Sequence, residues 1–341
     1  MQVQQNDNLY CQLRQIIDET KPGDKLPSLR ELSRRLGVSV SVADRYLARI
    51  VASGEVLIKP RSGAYRAFPA KRKIEILVMN PTSLQAEVNF HYFFFSTLVT
   101  SLVSSGRQVR IHDMQNEINE IQLDSIGNPD DSIIITYRLQ WKQLPVIDFL
   151  QKKKIPMLHI LPNFKDAPEP LLQINDFELV RKQVEHLLAH GHTRIAYFHA
   201  AESFNFSRAW DNRLKSFYQL ALEKKLEISS DYIIDVGAHC ERVVEAVEQL
   251  YACSPRPTAL IIYDEHVKMV NDALRQKQFP LAVMATDGMP WNSKLSPSVT
   301  STCINFRNLN TILEELITKL ENHQPLNEYF LPIDILPGET V

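Results

Sequence analysis

A mixed α/β chain is predicted: an N-terminal winged helix-turn-helix, then two Rossmann-like lobes, each a parallel sheet covered by helices. Three observations carry that prediction. The first 68 residues hold three helical patterns and a short hairpin. Strand-like and helical runs then alternate over more than 200 residues. The second and third helical patterns are joined only by Gly37-Val38-Ser39, as helix-turn-helix pairs require.

In the first segment Leu9, Leu13, Ile16 and Ile17 recur at helical spacing, and Lys21-Pro22-Gly23-Asp24 ends that helix. Ser28-Leu29-Arg30-Glu31 has the spacing of a capping box, with Ser28 capping and Glu31 reaching back. Gly37 stops the second helix. Ser39 can cap a third, with Ala43, Tyr46, Leu47 and Ile50 on one face, and Gly54 ends it. Val56-Leu57-Ile58, a polar tip from Lys59 to Gly63, and Ala64 to Phe68 read as a hairpin. The Gly37-Val38-Ser39 connection is as tight as helix-turn-helix pairs require. Such a pair lays its last helix in the major groove of DNA.

Pro69-Ala70-Lys71-Arg72-Lys73 is expected as a linker between residues 1–68 and a body of 74–341. In the body, strands are expected at 74–79, 109–111, 132–136, 157–160, 194–198, 232–234, 259–262 and 281–284. Helices are expected at 90–105, 144–153, 177–189, 211–225, 241–251 and 265–276. The first lobe is placed at about 74–173 and 301–326, the second at about 174–300 and 327–341. No short-period repeat or low-complexity run interrupts this pattern.

Composition fits a globular chain, 44% hydrophobic and 23% charged. The N-terminal residues lack the basic-then-apolar order of a secretory signal, and the apolar runs are strand-sized, so a cytoplasmic protein is expected. Cys11, Cys240, Cys253 and Cys303 are scattered with no CxxC and read as reduced structural thiols. The net charge of −2 hides an asymmetry. Residues 1–73 hold 14 Lys and Arg against 7 Asp and Glu, and the remainder holds 24 against 33. A basic head on an acidic body points to a polyanion partner for the head.

The run Lys21-Pro22-Gly23-Asp24-Lys25-Leu26-Pro27-Ser28-Leu29-Arg30-Glu31-Leu32, with Leu36-Gly37-Val38-Ser39 and Gly54-Glu55-Val56, resembles the winged helix of the GntR regulator family over residues 8–68. Residues 74–336 resemble the LacI/GalR effector domain, a periplasmic-binding-protein-like fold. That likeness rests on Asn175-Asp176, His186-Leu187-Leu188, Gly191 to Ile195, Arg208, Arg213-Leu214, Phe217, Pro257 to Leu260, Tyr263-Asp264, Thr286-Asp287-Gly288 and Leu295 to Ser301. The combination resembles the arabinose-repressor-like subgroup. It implies a DNA-binding repressor, a homodimer, whose cleft takes a sugar or sugar derivative. There are departures. Val40-Ser41-Val42-Ala43-Asp44 stands where the GntR pattern has Arg-Thr-Thr-Val-Arg, and Arg61 where it has Gly. Asn175-Asp176 replaces Asp-Asn, and Tyr263-Asp264 replaces Asn-Asp, in the sensor pattern.

Candidate DNA contacts follow from exposure and type. Ser28 and Arg30 open the second helix, where N–H groups and a cation hold phosphate. Ser41, Asp44, Arg45 and Arg49 face away from the apolar stripe of the third. Arg45 suits bidentate reading of guanine, and Asp44 either accepts from cytosine or pairs with a neighbouring Arg. Arg61 and Gly63 sit on the wing.

Ligands of open α/β lobes bind beyond the carboxyl ends of the strands. That rule selects Asn80, Tyr137-Arg138, Asn163, Asn175-Asp176, Phe204, Tyr263-Asp264 and Asp287. The resemblance adds Arg213. Phe90, Tyr137 and Trp291 can stack on a sugar face, with core packing as the competing reading.

His186, His190, His192 and His199 form no HExxH arrangement, and no metal or cofactor is expected. The ten glycines never form GxGxxG or GxSxG, and no P-loop is present, which argues against nucleotide enzymes and hydrolases. Two alternatives remain: a pyridoxal-phosphate enzyme-like body behind the same head, or a sensor that no longer binds sugars.

Overall fold

The computed structural model describes residues 2–21, 23–67, 71–79, 90–114, 123–164, 166–199, 208–237 and 242–341. The chain divides into two compact units, Met1–Lys71 and Arg72–Val341.

The first unit holds α1 (Gln2–Glu19), α2 (Leu29–Leu36), α3 (Val40–Ala52), β1 (Val56–Lys59) and β2 (Gly63–Arg66). The Ser28 hydroxyl accepts from the Glu31 N–H at 3.3 Å, and Ser39 from that of Val42 at 3.4 Å, so both helices are capped. The capping box is only half made. The Glu31 carboxylate turns to Arg34 and Arg35 instead of reaching back, and these two hold its pKa down at about 2. Gly37 ends α2 at φ 65°. β1 and β2 pair antiparallel, Val56 opposite Arg66 and Lys59 opposite Gly63. The segment after α1 lies along β2: the Leu26 N–H donates to the Ala64 carbonyl at 2.9 Å, and the Gly23 N–H to that of Arg66. Leu13, Ile17, Leu32, Leu36, Tyr46, Leu47, Ile50 and Val56 form the core.

The second unit starts earlier than the expected linker allows. Lys73 is already in β3 (Lys73–Val78), opposite Ser132, and the Arg72 guanidinium donates to the Pro129 carbonyl at 2.8 Å. Arg72 and Lys73 are therefore body, not linker. Then come α4 (Phe90–Ser104), β4 (Val109–Asp113), β5 (Ser132–Tyr137), α5 (Leu144–Lys152), β6 (Met157–Ile160) and β7 (Leu171–Gln173). Next are α6 (Asp176–Ala189), β8 (Ile195–His199), α7 (Arg208–Glu223), β9 (Ile233–Asp235), α8 (Val243–Ala252) and β10 (Ala259–Ile262). The rest is α9 (Val267–Lys277), β11 (Ala282–Ala285), β12 (Thr300–Ile304), α10 (Leu309–Glu321), β13 (Glu328–Phe330) and β14 (Ile333–Leu336).

Two six-stranded sheets result, ordered β13-β7-β6-β5-β3-β4 and β14-β12-β11-β10-β8-β9. All neighbours are parallel except β14, which runs antiparallel to β12. Strands such as β5 are buried on both faces, which explains their continuous apolar runs.

The expected lobe boundaries shift. β12 pairs into the second sheet, although residues from 301 were placed in the first lobe. β13 pairs with β7 in the first, although residues from 327 were placed in the second. β13 has only three residues, and its partner β7 is distant in sequence. The chain thus crosses between lobes three times. α10 returns to the first lobe, where the buried Arg107 guanidinium holds Glu314 at 3.1 Å and Glu321 at 2.7 Å.

Candidate functional site

The site is built where the second sheet ends. Asn175 caps α6, its side-chain oxygen accepting from the Glu178 N–H at 2.9 Å. Asp176, the first helical residue, is thereby left to face α7. The guanidinium of Arg213 on α7 donates to Asp176 at 2.9 Å and to Asp287, just beyond β11, at 3.3 Å. Asn212 also donates to Asp176 at 3.2 Å. The Arg213 guanidinium lies 5.7 Å from the Tyr263 ring centroid. Burial works against the Arg213 charge, but Asp287 and Asp176 outweigh it and keep the group protonated. Burial also raises the Asp287 pKa, with Arg213 opposing.

Behind this triad stands Asp264. It is 2% exposed and accepts from the N–H groups of Asp287 and Met289 and from the Asn292 amide. Burial and the neighbouring Asp287 push its pKa up to about 6. Gly288 makes the turn possible. Its φ is 67°, and a Cβ there would stand 2.2 Å from that of Cys303. Desolvation in this recess, with Asp287 and Asp264 adding to it, pushes the Glu265 pKa up to about 8.

On the first lobe, Tyr137 ends β5 and is fully buried, its ring stacked on Phe94 at 5.9 Å. Its hydroxyl is 3.1 Å from His91 Nδ1. Arg138, the next residue, donates to His91 Nε2. Tyr137 thus lies beneath the wall, not on it. Phe90 is also core, 7% exposed and stacked near Phe94 and Phe306. Tyr263 is 1% exposed and sits under Arg213, and Asn163 is half-buried beyond β6. Phe93 of the first lobe meets Trp291 of the second at 5.7 Å. Asn80 and Phe204 fall outside the described residues.

The structure therefore groups Asp176, Arg213, Tyr263 and Asp287. It adds Asn212, Glu265, Asn292 and His91, which the sequence reading passed over. Asp264 and Arg138 had been marked only by their position after a strand.

In the head, Ser28, Arg30, Ser41, Asp44, Arg45, Arg49, Arg61 and Gly63 are exposed, and Ser28 also caps α2. Asp44 makes no ion pair among the described residues, so the expected pairing with a neighbouring Arg is not formed. Arg49 lies over the Tyr10 ring at 5.5 Å, which braces it against α1. Arg61 takes φ 62°, the left-handed backbone that a glycine would adopt freely.

His186 and His190 stack at 4.4 Å, and His192 is 3.2 Å from the Thr258 hydroxyl. No group of three or more His, Cys, Asp or Glu among the described residues is arranged to hold a metal. Nor is any described helix long and apolar enough to cross a membrane.

Comparison with known proteins matches the head and the body to separate domain families. Residues 5–65 match the model of bacterial regulatory proteins of the gntR family, and residues 184–341 that of a periplasmic binding protein-like domain. The chain joins a gntR-family head to a periplasmic-binding-protein-like body. A regulatory protein of LacI family from Chloroflexus aggregans superimposes with a TM-score of 0.63 at 20% identity, covering 78% of this chain and 98% of that one. The transcriptional regulator CelR, in complex with cellobiose, gives 0.59 at 16% identity, covering 92% and 100%. The HTH-type transcriptional repressor PurR of Photobacterium profundum is 29% identical over 85 residues. That match spans a quarter of this chain and a quarter of the repressor. These similar proteins are named as transcription regulators, and the two parallel-sheet lobes take the place of the pyridoxal-phosphate enzyme-like alternative.

Proposed function

We propose that the protein is an effector-responsive, sequence-specific DNA-binding repressor that acts in the cytoplasm as a homodimer. The observation that carries the effector half is Arg213 clamped by Asp176 and Asp287 at the strand ends of one lobe, facing the other lobe. A planar guanidinium fixed by carboxylates presents donors and acceptors to a hydroxylated ligand, of the sugar or sugar-derivative class. CelR, the similar regulator described with cellobiose, supports that class. The DNA half rests on the exposed row Ser41, Asp44 and Arg45 on α3, flanked by Arg30 and Arg61. Arg45 reads a base edge, Asp44 accepts from a cytosine amino group, and Ser28, Arg30, Arg49, Arg61 and Gly63 position the backbone.

Two heads related by a dyad match a two-fold operator, and the ligand acts through its different affinity for two body states. DNA selected from a random pool tests this. Arg45→Ala is expected to lose about 1–3 kcal/mol of binding and relax one position of the selected sequence. Arg30→Ala is expected to weaken all sequences alike and lower the salt dependence. A chain that stays monomeric at micromolar concentration and selects single, unpaired half-sites would sink the dimer scheme.

A further inference from the structure

Among the described residues three arginines of the body are almost completely buried: Arg107 and Arg138 at 5% exposure and Arg213 at 4%. Arg107 is met by Glu314 and Glu321, and Arg213 by Asp176 and Asp287. Arg138 differs. Among the described residues no carboxylate stands within ion-pair distance of it, and its buried Nε has no hydrogen-bond partner. Its one side-chain partner among the described residues is His91. A guanidinium only donates, so His91 Nε2 accepts, the ring proton sits on Nδ1 facing the Tyr137 hydroxyl, and the imidazole is neutral. Among the described residues nothing compensates the Arg138 charge in its buried place, an arrangement that burial penalises unless a partner arrives. The residue is also held at φ 58°, a backbone region that non-glycine side chains avoid.

Its position says where that partner comes from. Arg138 follows the last residue of β5, at the strand end where ligands of such sheets bind. Solvent still reaches His91, and its ring feels the charges of both Arg138 and Arg213, one from each lobe. The opposite wall carries two carboxylates, Asp176 and Asp287 about Arg213, with the Glu265 carboxyl group beside them. The two walls of the cleft therefore differ in charge.

We propose that the effector carries an oxyanion, a carboxylate or a phosphate ester, which Arg138 binds, while the carboxylate-bearing wall around Arg213 takes its hydroxyl groups. This rests on the cleft being the effector site. It narrows the ligand from sugars in general to hydroxylated acids and phosphate esters.

Sodium phosphate and sodium acetate serve as minimal probes on the full chain, against sodium chloride at matched ionic strength and pH 7. One or both are expected to raise the melting midpoint by a few degrees, by mass action on the native state. A response to phosphate alone assigns a phosphate ester, and one to acetate alone assigns a carboxylate. Arg138→Met is expected to abolish the response and, in chloride, to melt at or above the wild-type midpoint. Arg138→Lys is expected to keep part of the response.

The proposal is overturned if neither anion raises the wild-type midpoint, or if Arg138→Met responds equally. It is also overturned if Arg138→Met in chloride melts well below the wild type, because Arg138 then has an internal partner. Neutral monosaccharides that stabilise wild type and Arg138→Met alike would leave the cleft reading standing and remove the oxyanion. If no neutral sugar, sugar acid or sugar phosphate stabilised any form, the cleft reading itself would fail.

Discussion

At Arg213 one side chain links α6, α7 and the loop after β11, so its removal acts on all three. Arg213→Met would strand the buried Asp287 carboxylate and the half-buried one of Asp176. We expect it to cost about 3 kcal/mol, measured by urea unfolding, and part of that loss should return when Asp176→Asn and Asp287→Asn are added. Asp264 supplies a pH dependence of known sign. Its folded pKa, about 6, lies above the ordinary carboxylate value, so between those two pH values the native state binds more protons than the unfolded chain. Its contribution to stability is therefore fully present below the unfolded pKa and is lost as pH rises through about 6. With Asp264→Asn as reference, the wild-type unfolding free energy should gain as pH falls from about 7 to about 5. Little of this was legible in the sequence. Asp176, Arg213 and Asp287 were marked, but the burial that makes Tyr137 a prop for His91 depends on Phe94 and Phe95 stacking from another element.

At the scale of elements the sequence was far more explicit. Ser28, Ser39 and Asn175 each accept from the N–H three residues on, and local chemistry alone announces such caps. Periodicity placed most helices to within a few residues. α7 starts at Arg208 rather than 211, and α9 at Val267 rather than 265 because Asp264–His266 forms a 3-10 turn first. Sheet membership was the illegible part. β7 and β13 have only three residues each, and what assigns β13 is a pairing partner far back in the chain, which no window of sequence contains. The turn after β11 shows how tightly such pairings are packed. Gly288→Ala would drive a methyl group into Cys303 on β12 at a left-handed backbone position. We expect a loss of about 2–4 kcal/mol in thermal unfolding, together with loss of effector response.

Over the whole molecule the charge asymmetry read from the sequence becomes two separate compact units, a basic head and an acidic body. The body is laced together by three crossings, and the last two deliver β13 to one sheet and β14 to the other. A stop codon after Asn327 would take one edge strand from each sheet. The expected outcome is a body without cooperative near-ultraviolet melting, attached to a head that still binds DNA and no longer responds to effector.

The late edge strands also order the protein's birth. A ribosome releases the helices and wing of the head hundreds of residues before either lobe can close its sheet. Newly made chains therefore pass through an interval in which the DNA-reading part is finished and the sensing part is not. The interval ends only when residues 328–336 clear the exit tunnel.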